Sequence, residues 1–226
     1  GLSQTMTACR GWAAVLANRK CGIGKYMIPH SVRLIHIRHG QTDWNAEARL
    51  QGETDIPINA LGREQARRNG SRLLYCLTGM KRSHDSFDWV ASPMARARET
   101  MEIVRTEMGL DPADYRLEER LREIAFGKWR GHTIAELKLV DPDAVAARRR
   151  DKWGFLPPDG ESYADLKVRI EGWLAEIDRD TIVVSHGGVF RVLNHLIAGT
   201  PAHEAPGLPV PQDRIAVFRD GGVELL

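Results

Sequence analysis

Two histidines and two arginines of this chain stand where it leaves short apolar runs. Arg38-His39-Gly40 ends a run that begins at Val32, and Ser185-His186-Gly187-Gly188 ends one that begins at Asp180. Arg96 follows Ser92-Pro93, where the run from Asp88 stops. A neutral imidazole can attack an electrophile near pH 7, and a guanidinium keeps its charge and matches the oxygens of a phosphate with a planar fork. Glycines beside the histidines let backbone come close to a bound group. Singly, each feature has a plainer explanation: a strand-end histidine is more often a hydrogen-bonded structural residue, and Arg98 reads as a solvated surface group. The three together suggest one phosphate site.

The elements that must position these residues follow from the pattern around them. "SVRLIHI", "DWVAS" and "DTIVVSHGG" read as strands, and "RIAVFRDGGVELL" reads as a terminal hairpin about Asp220-Gly221-Gly222. Between them lie helical segments. "ALGREQARRNGSRLLYCL" offers Leu61, Ala66, Leu73 and Leu74 as an inner stripe, "SPMARARETMEIVRTEM" follows the second strand, and "GGVFRVLNHLIAG" follows the third. Ser92 is expected to cap the second of these helices, with Pro93 next to it. Strands alternating with helices of this length predict βαβ units and a largely parallel sheet. In such a sheet ligands sit beyond the carboxyl ends of the strands, where helix N-termini offer free N–H groups to anions. His36 shares a strand face with Arg38 and is expected to be packed or hydrogen-bonded. The stretch from Gly131 to Ser162 breaks the rhythm, with a helix expected from Asp141 and a turn at Pro157 to Gly160.

Bulk composition excludes several classes. The chain has 226 residues, 42% hydrophobic and 27% charged, with a formal net charge of +2. That is ordinary globular composition, long enough for a sizeable core without staples. The charge is too small, and too evenly mixed with acids, to argue for nucleic acid. No apolar run approaches the ~20 residues that span a bilayer. Three cysteines, with no C-x-x-C pair, suggest neither a disulfide framework nor a zinc site, and a reducing cytoplasm is expected. The first 42 residues carry Arg10, Arg19, Lys20 and Lys25 but no acid. Residues 1–30 are therefore expected to be an extension, disordered or not native, ahead of a single domain over 31–226.

In chain order, "RHGQTDWN", "LQGETDIPINALGREQA", "SPMARARET", "LREIAFGKWRGHT" and "VSHGG" resemble the histidine phosphatase superfamily, the phosphoglycerate mutase-like enzymes. The similarity runs from about Val32 to Asn194 and leaves the terminal hairpin outside. It implies a three-layer α/β/α domain with a mostly parallel central sheet and an insertion, about 131–162, over the active-site face. Position by position, the resemblance makes His39 the nucleophile that becomes a phosphohistidine. It makes Arg38, Arg96 and His186 the groups holding the phosphoryl oxygens, Asn45 a further pocket contact and Glu123 the proton donor. Gln51, Gly52 and Gly187 border the phosphate. No metal and no cofactor is implied, because arginines supply the cationic charge.

Within that family the chain departs from the glycolytic mutases. "AEARLQGETDIPIN" lacks their Phe-Thr-Gly-Trp pattern, and "LREIAFGKWRGHT" differs from their segment around the acid. A phosphatase acting on a small phosphorylated metabolite is therefore favoured over a cofactor-dependent phosphoglycerate mutase. A binder that keeps the phosphate cage without turnover is a third possibility, but His39 and Glu123 are both present. A metal-dependent hydrolase would betray itself by inactivation with a chelator. Monomer and homodimer remain equally open. In the insertion, Arg148, Arg149, Arg150 and Lys152 either form a solvated face or reach a second anionic group. Trp129, Trp153 and Phe155 either line the pocket mouth or anchor the insertion.

Overall fold

The structure, a computed structural model, describes residues 28, 29 and 31–226. Nearly all of the expected extension over residues 1–30 lies outside the described residues. Six strands form one sheet: β1 (Leu34–Arg38), β2 (Asp88–Ala91), β3 (Arg116–Leu117), β4 (Thr181–Ser185), β5 (Ile215–Arg219) and β6 (Gly222–Leu225). Their order is β3-β2-β4-β1-β5-β6. The first four run parallel, while β5 and β6 are antiparallel to their neighbours. The helices are α1 (Asp43–Ala46), α2 (Ala60–Gly79), α3 (Ala95–Glu107), α4 (Ile134–Val140), α5 (Pro142–Arg150), α6 (Tyr163–Leu174) and α7 (Gly187–Leu196).

Strand β1 is buried from Leu34 to Ile37 because both of its faces are covered. Leu34 packs with the residues of α6 and α7, and Ile35 and Ile37 pack with those of α2 and α3. All three are fully buried, each worth about 1.5–3 kcal/mol relative to exposure. Two helical layers on a mostly parallel sheet make the expected three-layer architecture.

Parallel register sets the level of the site. Arg38 lies opposite Ser185. The ladder continues one step beyond the strands: the His39 N–H donates to Ser185 O, and the Ser92 N–H donates to Val184 O, both at 3.0 Å. Three chain segments therefore leave the sheet side by side. After β1 the chain rides directly on the start of α2, where a β-carbon on Gly40 would stand 2.3 Å from Gly62 O.

Two local expectations differ from the structure, and two short elements, β3 and α4, are not among those expected. Leu61 and Leu74 are half exposed, while the buried face of α2 carries Gly62, Ala66, Asn69, Gly70, Leu73 and Leu77. The small residues face inward because α3 comes so close that a β-carbon on Gly70 would meet Glu107 Cβ at 2.7 Å. Ser92 does not cap α3; the cap position is Met94, without a side-chain bond. The two-residue strand β3 carries too short a pattern to be read. Helix α4 precedes the expected α5, which Asp141 caps by accepting from the Ala144 N–H at 3.1 Å.

Candidate active site

The strand ends bring His39, His186, Arg38 and Arg96 together as the motifs suggest. The His39 and His186 rings have centroids 5.2 Å apart, and neither residue is more than 2% exposed. His39 Nδ1 lies 2.8 Å from Gly40 O. A carbonyl only accepts, so Nδ1 carries the proton and Nε2 keeps its lone pair. Burial first, then the Arg96 and Arg38 charges, hold this imidazole well below its ordinary pKa, which keeps it neutral and nucleophilic. The Gly40 peptide is fixed from its other side: its N–H donates to Thr100 Oγ1 at 3.0 Å, and Thr100 donates to Arg96 O at 2.7 Å.

His186 is equally constrained. Its Nε2 lies 2.7 Å from Ser92 Oγ, which is where Ser92 spends its hydroxyl instead of capping α3. Burial, then Arg96 and His39, hold His186 well below its ordinary pKa. The ring is thus neutral, and in the tautomer whose Nε2 accepts from the Ser92 hydroxyl its Nδ1–H is left as a donor. His36, expected to be packed or bonded, is both: its Nε2 lies 2.8 Å from Ser185 Oγ, and its ring lies 5.4 Å from that of Phe190.

Both arginines are held by carbonyls and leave donors free. Arg38 Nη1 donates to Val210 O at 2.6 Å. Arg96 donates through Nη1 to Thr54 O and through Nη2 to Gly52 O, each at 2.7 Å. Arg38 Nε, Arg96 Nε and His186 Nδ1 are buried and have no hydrogen-bond partner among the described residues. Burial, with Glu123 opposing and Arg191 and Arg96 adding, brings Arg38 down to about 10. It still carries its charge at pH 7. Leaving buried donors unpaired costs ~1–3 kcal/mol each, and with two of the three carried by guanidinium groups the cluster has the chemistry to take up an anion.

The other candidates take distinct places. Glu123 Oε1 accepts from the Gly188 and Ile124 N–H groups, both at 3.0 Å, which aims the carboxylate at the start of α7. The segment carrying it is pinned by Arg169, which donates to the carbonyls of Arg120, Arg122 and Glu123 and pairs with Glu161 at 2.7 Å. Asn45 Oδ1 accepts from the Thr42 N–H at 3.1 Å and from Gln212 Nε2 at 3.0 Å, so its amide Nδ2 is the end left to contact a ligand. Gln51 is buried with Oε1 unpartnered. Gly52, at φ +53°, takes part through its carbonyl on Arg96 rather than by an observed opening for phosphate. Gly187 begins α7 beside the Arg38 guanidinium.

Thr100 and Gln212 escaped the sequence reading, since a lone threonine or glutamine inside a helix or loop carries no periodic or motif signal. Trp129 is buried and packs on Phe155 at 4.9 Å, so that pair anchors the insertion; Trp153 stacks on Tyr163 at 5.9 Å. Among the described residues no cluster of His, Cys, Asp and Glu has the makings of a metal site, and no helix is long and apolar enough to cross a membrane.

Known proteins share this arrangement of chain. A glucosyl-3-phosphoglycerate phosphatase of Mycobacterium tuberculosis strain H37Rv is 32% identical over 189 residues, covering 78% of this chain and 79% of that one. A "probable phosphoglycerate mutase" of Enterobacter is 33% identical over 178 residues, covering 74% and 75%. The native structure of a mycobacterial glucosyl-3-phosphoglycerate phosphatase superposes with a TM-score of 0.68 at 28% identity, covering 86% of this chain and 96% of that one. The family pattern of the histidine phosphatase superfamily (branch 1) matches residues 34–222. It runs past Asn194 through β5 to the first residue of β6, so most of the terminal hairpin that the motifs left outside belongs to the match. With a paired-histidine crevice, carbonyl-held arginines and a match over nearly all of the described chain, this protein belongs to the histidine phosphatase superfamily, branch 1.

Proposed function

We propose that the protein hydrolyses the phosphate monoester of a small metabolite through a phosphohistidine on His39. The observation that carries this is the set of three buried, unpartnered donors, Arg38 Nε, Arg96 Nε and His186 Nδ1, beside a neutral imidazole whose Nδ1 is committed to Gly40 O. His39 Nε2 attacks phosphorus, the P–O ester bond breaks, and the leaving alkoxide takes a proton from the Glu123 carboxyl. Water then attacks the phosphohistidine and gives its proton to Glu123. The P–N bond breaks with its electron pair returning to Nε2, and inorganic phosphate leaves. Arg38, Arg96, His186 and Asn45 compensate the charge of the equatorial oxygens throughout, a preorganised cage in which one donor is worth about 3 kcal/mol.

The glucosyl-3-phosphoglycerate phosphatase relatives support hydrolysis over mutase chemistry. Three cysteines in the whole chain support a reducing cytoplasm, where the protein acts as a monomer or homodimer.

The test is hydrolysis of phenyl phosphate in excess EDTA by wild type and His39→Ala, with rapid quenching of enzyme labelled from a radioactive phosphate ester. The expected result is chelator-resistant turnover with a label stable in alkali and lost in acid. Both signals should fall by at least about 10⁴-fold in the variant. Label without turnover would replace hydrolysis by mutase chemistry; turnover that survives His39→Ala would overturn the mechanism.

A further inference from the structure

The reactivity of His39 hangs on one carbonyl. His39 Nδ1 lies 2.8 Å from Gly40 O, and among the described residues no carboxylate bonds to this ring. A reacting imidazole is commonly oriented by a carboxylate or carbonyl on its far nitrogen, which fixes the tautomer and the direction of the ring. Here a neutral peptide takes that place, so whatever orients the peptide acts on the nucleophile.

The accepting carbonyl belongs to the peptide between Gly40 and Gln41. The N–H of that same peptide, on Gln41, donates to Gln65 Oε1 at 2.9 Å. The preceding peptide is bound by other groups: its N–H donates to Thr100 Oγ1, and its carbonyl accepts from Gln212 Nε2. His39 Nδ1, the Gly40–Gln41 amide and Gln65 Oε1 thus form one continuous hydrogen-bonded chain.

The packing of α2 creates this chain. A β-carbon on Gly62 would stand 2.3 Å from Gln41 O and 2.7 Å from Gln41 N, so the first turn of the helix lies on the peptide itself. Gln65 comes three residues later on the same helical face, and the close approach at Gly62 delivers its side chain to the Gln41 N–H. The helix cap holds the turn from the other side. The Asn59 N–H donates to Gln41 O at 2.8 Å, and Asn59 Nδ2 donates to Gln41 Oε1 at 3.1 Å.

The orientation of this amide decides which nitrogen of His39 can attack. Glycine at position 40 leaves the backbone free to turn the next peptide over. The reversed peptide would present the Gln41 N–H to Nδ1. An N–H only donates, so Nδ1 would become the acceptor and the ring proton would sit on Nε2, the atom that must attack. The bond to Gln65 holds the amide in the productive sense. An amide bonded at its N–H is also a stronger acceptor at its carbonyl.

We propose that Gln65 is a positioning residue for the nucleophile: by accepting from the Gln41 N–H it fixes the Gly40 carbonyl against His39 Nδ1 and selects the tautomer with Nε2 free. This rests on the phosphohistidine mechanism proposed above and adds to it a residue that bonds to neither the imidazole nor the phosphate cage.

The test compares wild type with Gln65→Leu, which removes the acceptor at similar size, and Gln65→Glu, which keeps it. Three quantities are read: kcat and KM for 4-nitrophenyl phosphate, the Ki of inorganic phosphate, and nitrogen NMR of protein isotope-labelled in its histidine rings. The His39 signals are assigned by their loss in His39→Ala. Wild type should show the His39 proton on Nδ1. In Gln65→Leu kcat should fall about tenfold, the scale of one hydrogen bond. The phosphate Ki, which reads the cage alone, should stay unchanged, and the ring proton should move toward Nε2. Gln65→Glu should restore the Nδ1 tautomer and most of kcat. Full kcat or an unmoved tautomer in Gln65→Leu would overturn the proposal, as would a wild-type proton on Nε2. A fall in kcat matched by an equal loss of phosphate affinity would also overturn it, making Gln65 a support of the whole cage. The NMR reading needs no turnover. An enzyme inactive on every ester would therefore defeat the phosphatase function, while the tautomer in Gln65→Leu still decides the role of Gln65.

Discussion

The Gly188 N–H donates to Glu123 Oε1 at 3.0 Å, and a β-carbon on Gly188 would stand 2.3 Å from that same oxygen. The second glycine after His186 lets the first turn of α7 lie directly against the Glu123 carboxylate, which is the proton donor of the mechanism proposed above. The obstructed atom is the tip of a flexible side chain rather than backbone, so an added methyl displaces Glu123 and spares the fold.

Gly188→Ala should accordingly lower kcat/KM for alkyl phosphates by about 10²-fold, the usual scale of general acid catalysis. For 4-nitrophenyl phosphate, whose leaving group departs without a proton, the loss should be several-fold at most. Measuring both esters with both proteins decides it. Equal losses for the two would mean that the methyl disturbs the phosphate cage and not the acid.

Gln212 joins two parts of the site from a loop far away in sequence. Its Nε2 donates to His39 O at 3.1 Å and to Asn45 Oδ1 at 3.0 Å. With Oδ1 occupied by Gln212 and by the Thr42 N–H, the Asn45 amide is locked with Nδ2 as its free donor. Gln212→Ala should raise KM about three- to tenfold, the worth of roughly one neutral hydrogen bond. The same change made on an Asn45→Ala background should cost little, since interacting residues are non-additive. Fully additive losses would show that Gln212 does not act through Asn45.

Much of this was legible in the sequence, for identifiable reasons. His39, His186 and Arg96 each follow an apolar strand, so a periodic signal and a local motif coincide at the same place. Ser92 was visible but misassigned: local rules make a serine before Pro93 a helix cap, whereas the parallel register of β2 and β4 brings it against His186. The inner face of α2 was misread because hydrophobicity points to Leu61 and Leu74, while the close approach of α3 selects Gly70. Gln212 gave no signal at all: it reaches His39 O and Asn45 Oδ1 from a loop that meets the strand ends only once the sheet has formed.

Acid should destabilise the fold through its buried imidazoles. His36, His39 and His186 are each at most 2% exposed. Burial first, with Arg38 adding, pushes His36 down to about 3. Burial with Arg96 first among the charges does the same to His39 and His186 in direction. In the unfolded chain each imidazole takes up a proton as the pH falls through about 6.5. Below that pH the unfolded state holds more protons than the native one, so stability present above pH 6.5 is lost as the pH falls. For His36 the loss continues down to about pH 3. Each histidine fully within its window contributes a slope of about 1.4 kcal/mol per pH unit. Denaturant unfolding between pH 5 and 6, where ordinary carboxylates titrate little, should show a slope approaching that of three protons. His36→Gln can keep the bond to Ser185 Oγ without the titrating group, and should reduce the slope by about one proton. A slope that His36→Gln leaves unchanged would mean that His36 is already protonated in the native protein, and the neutral crevice inferred for its neighbours His39 and His186 would lose its support.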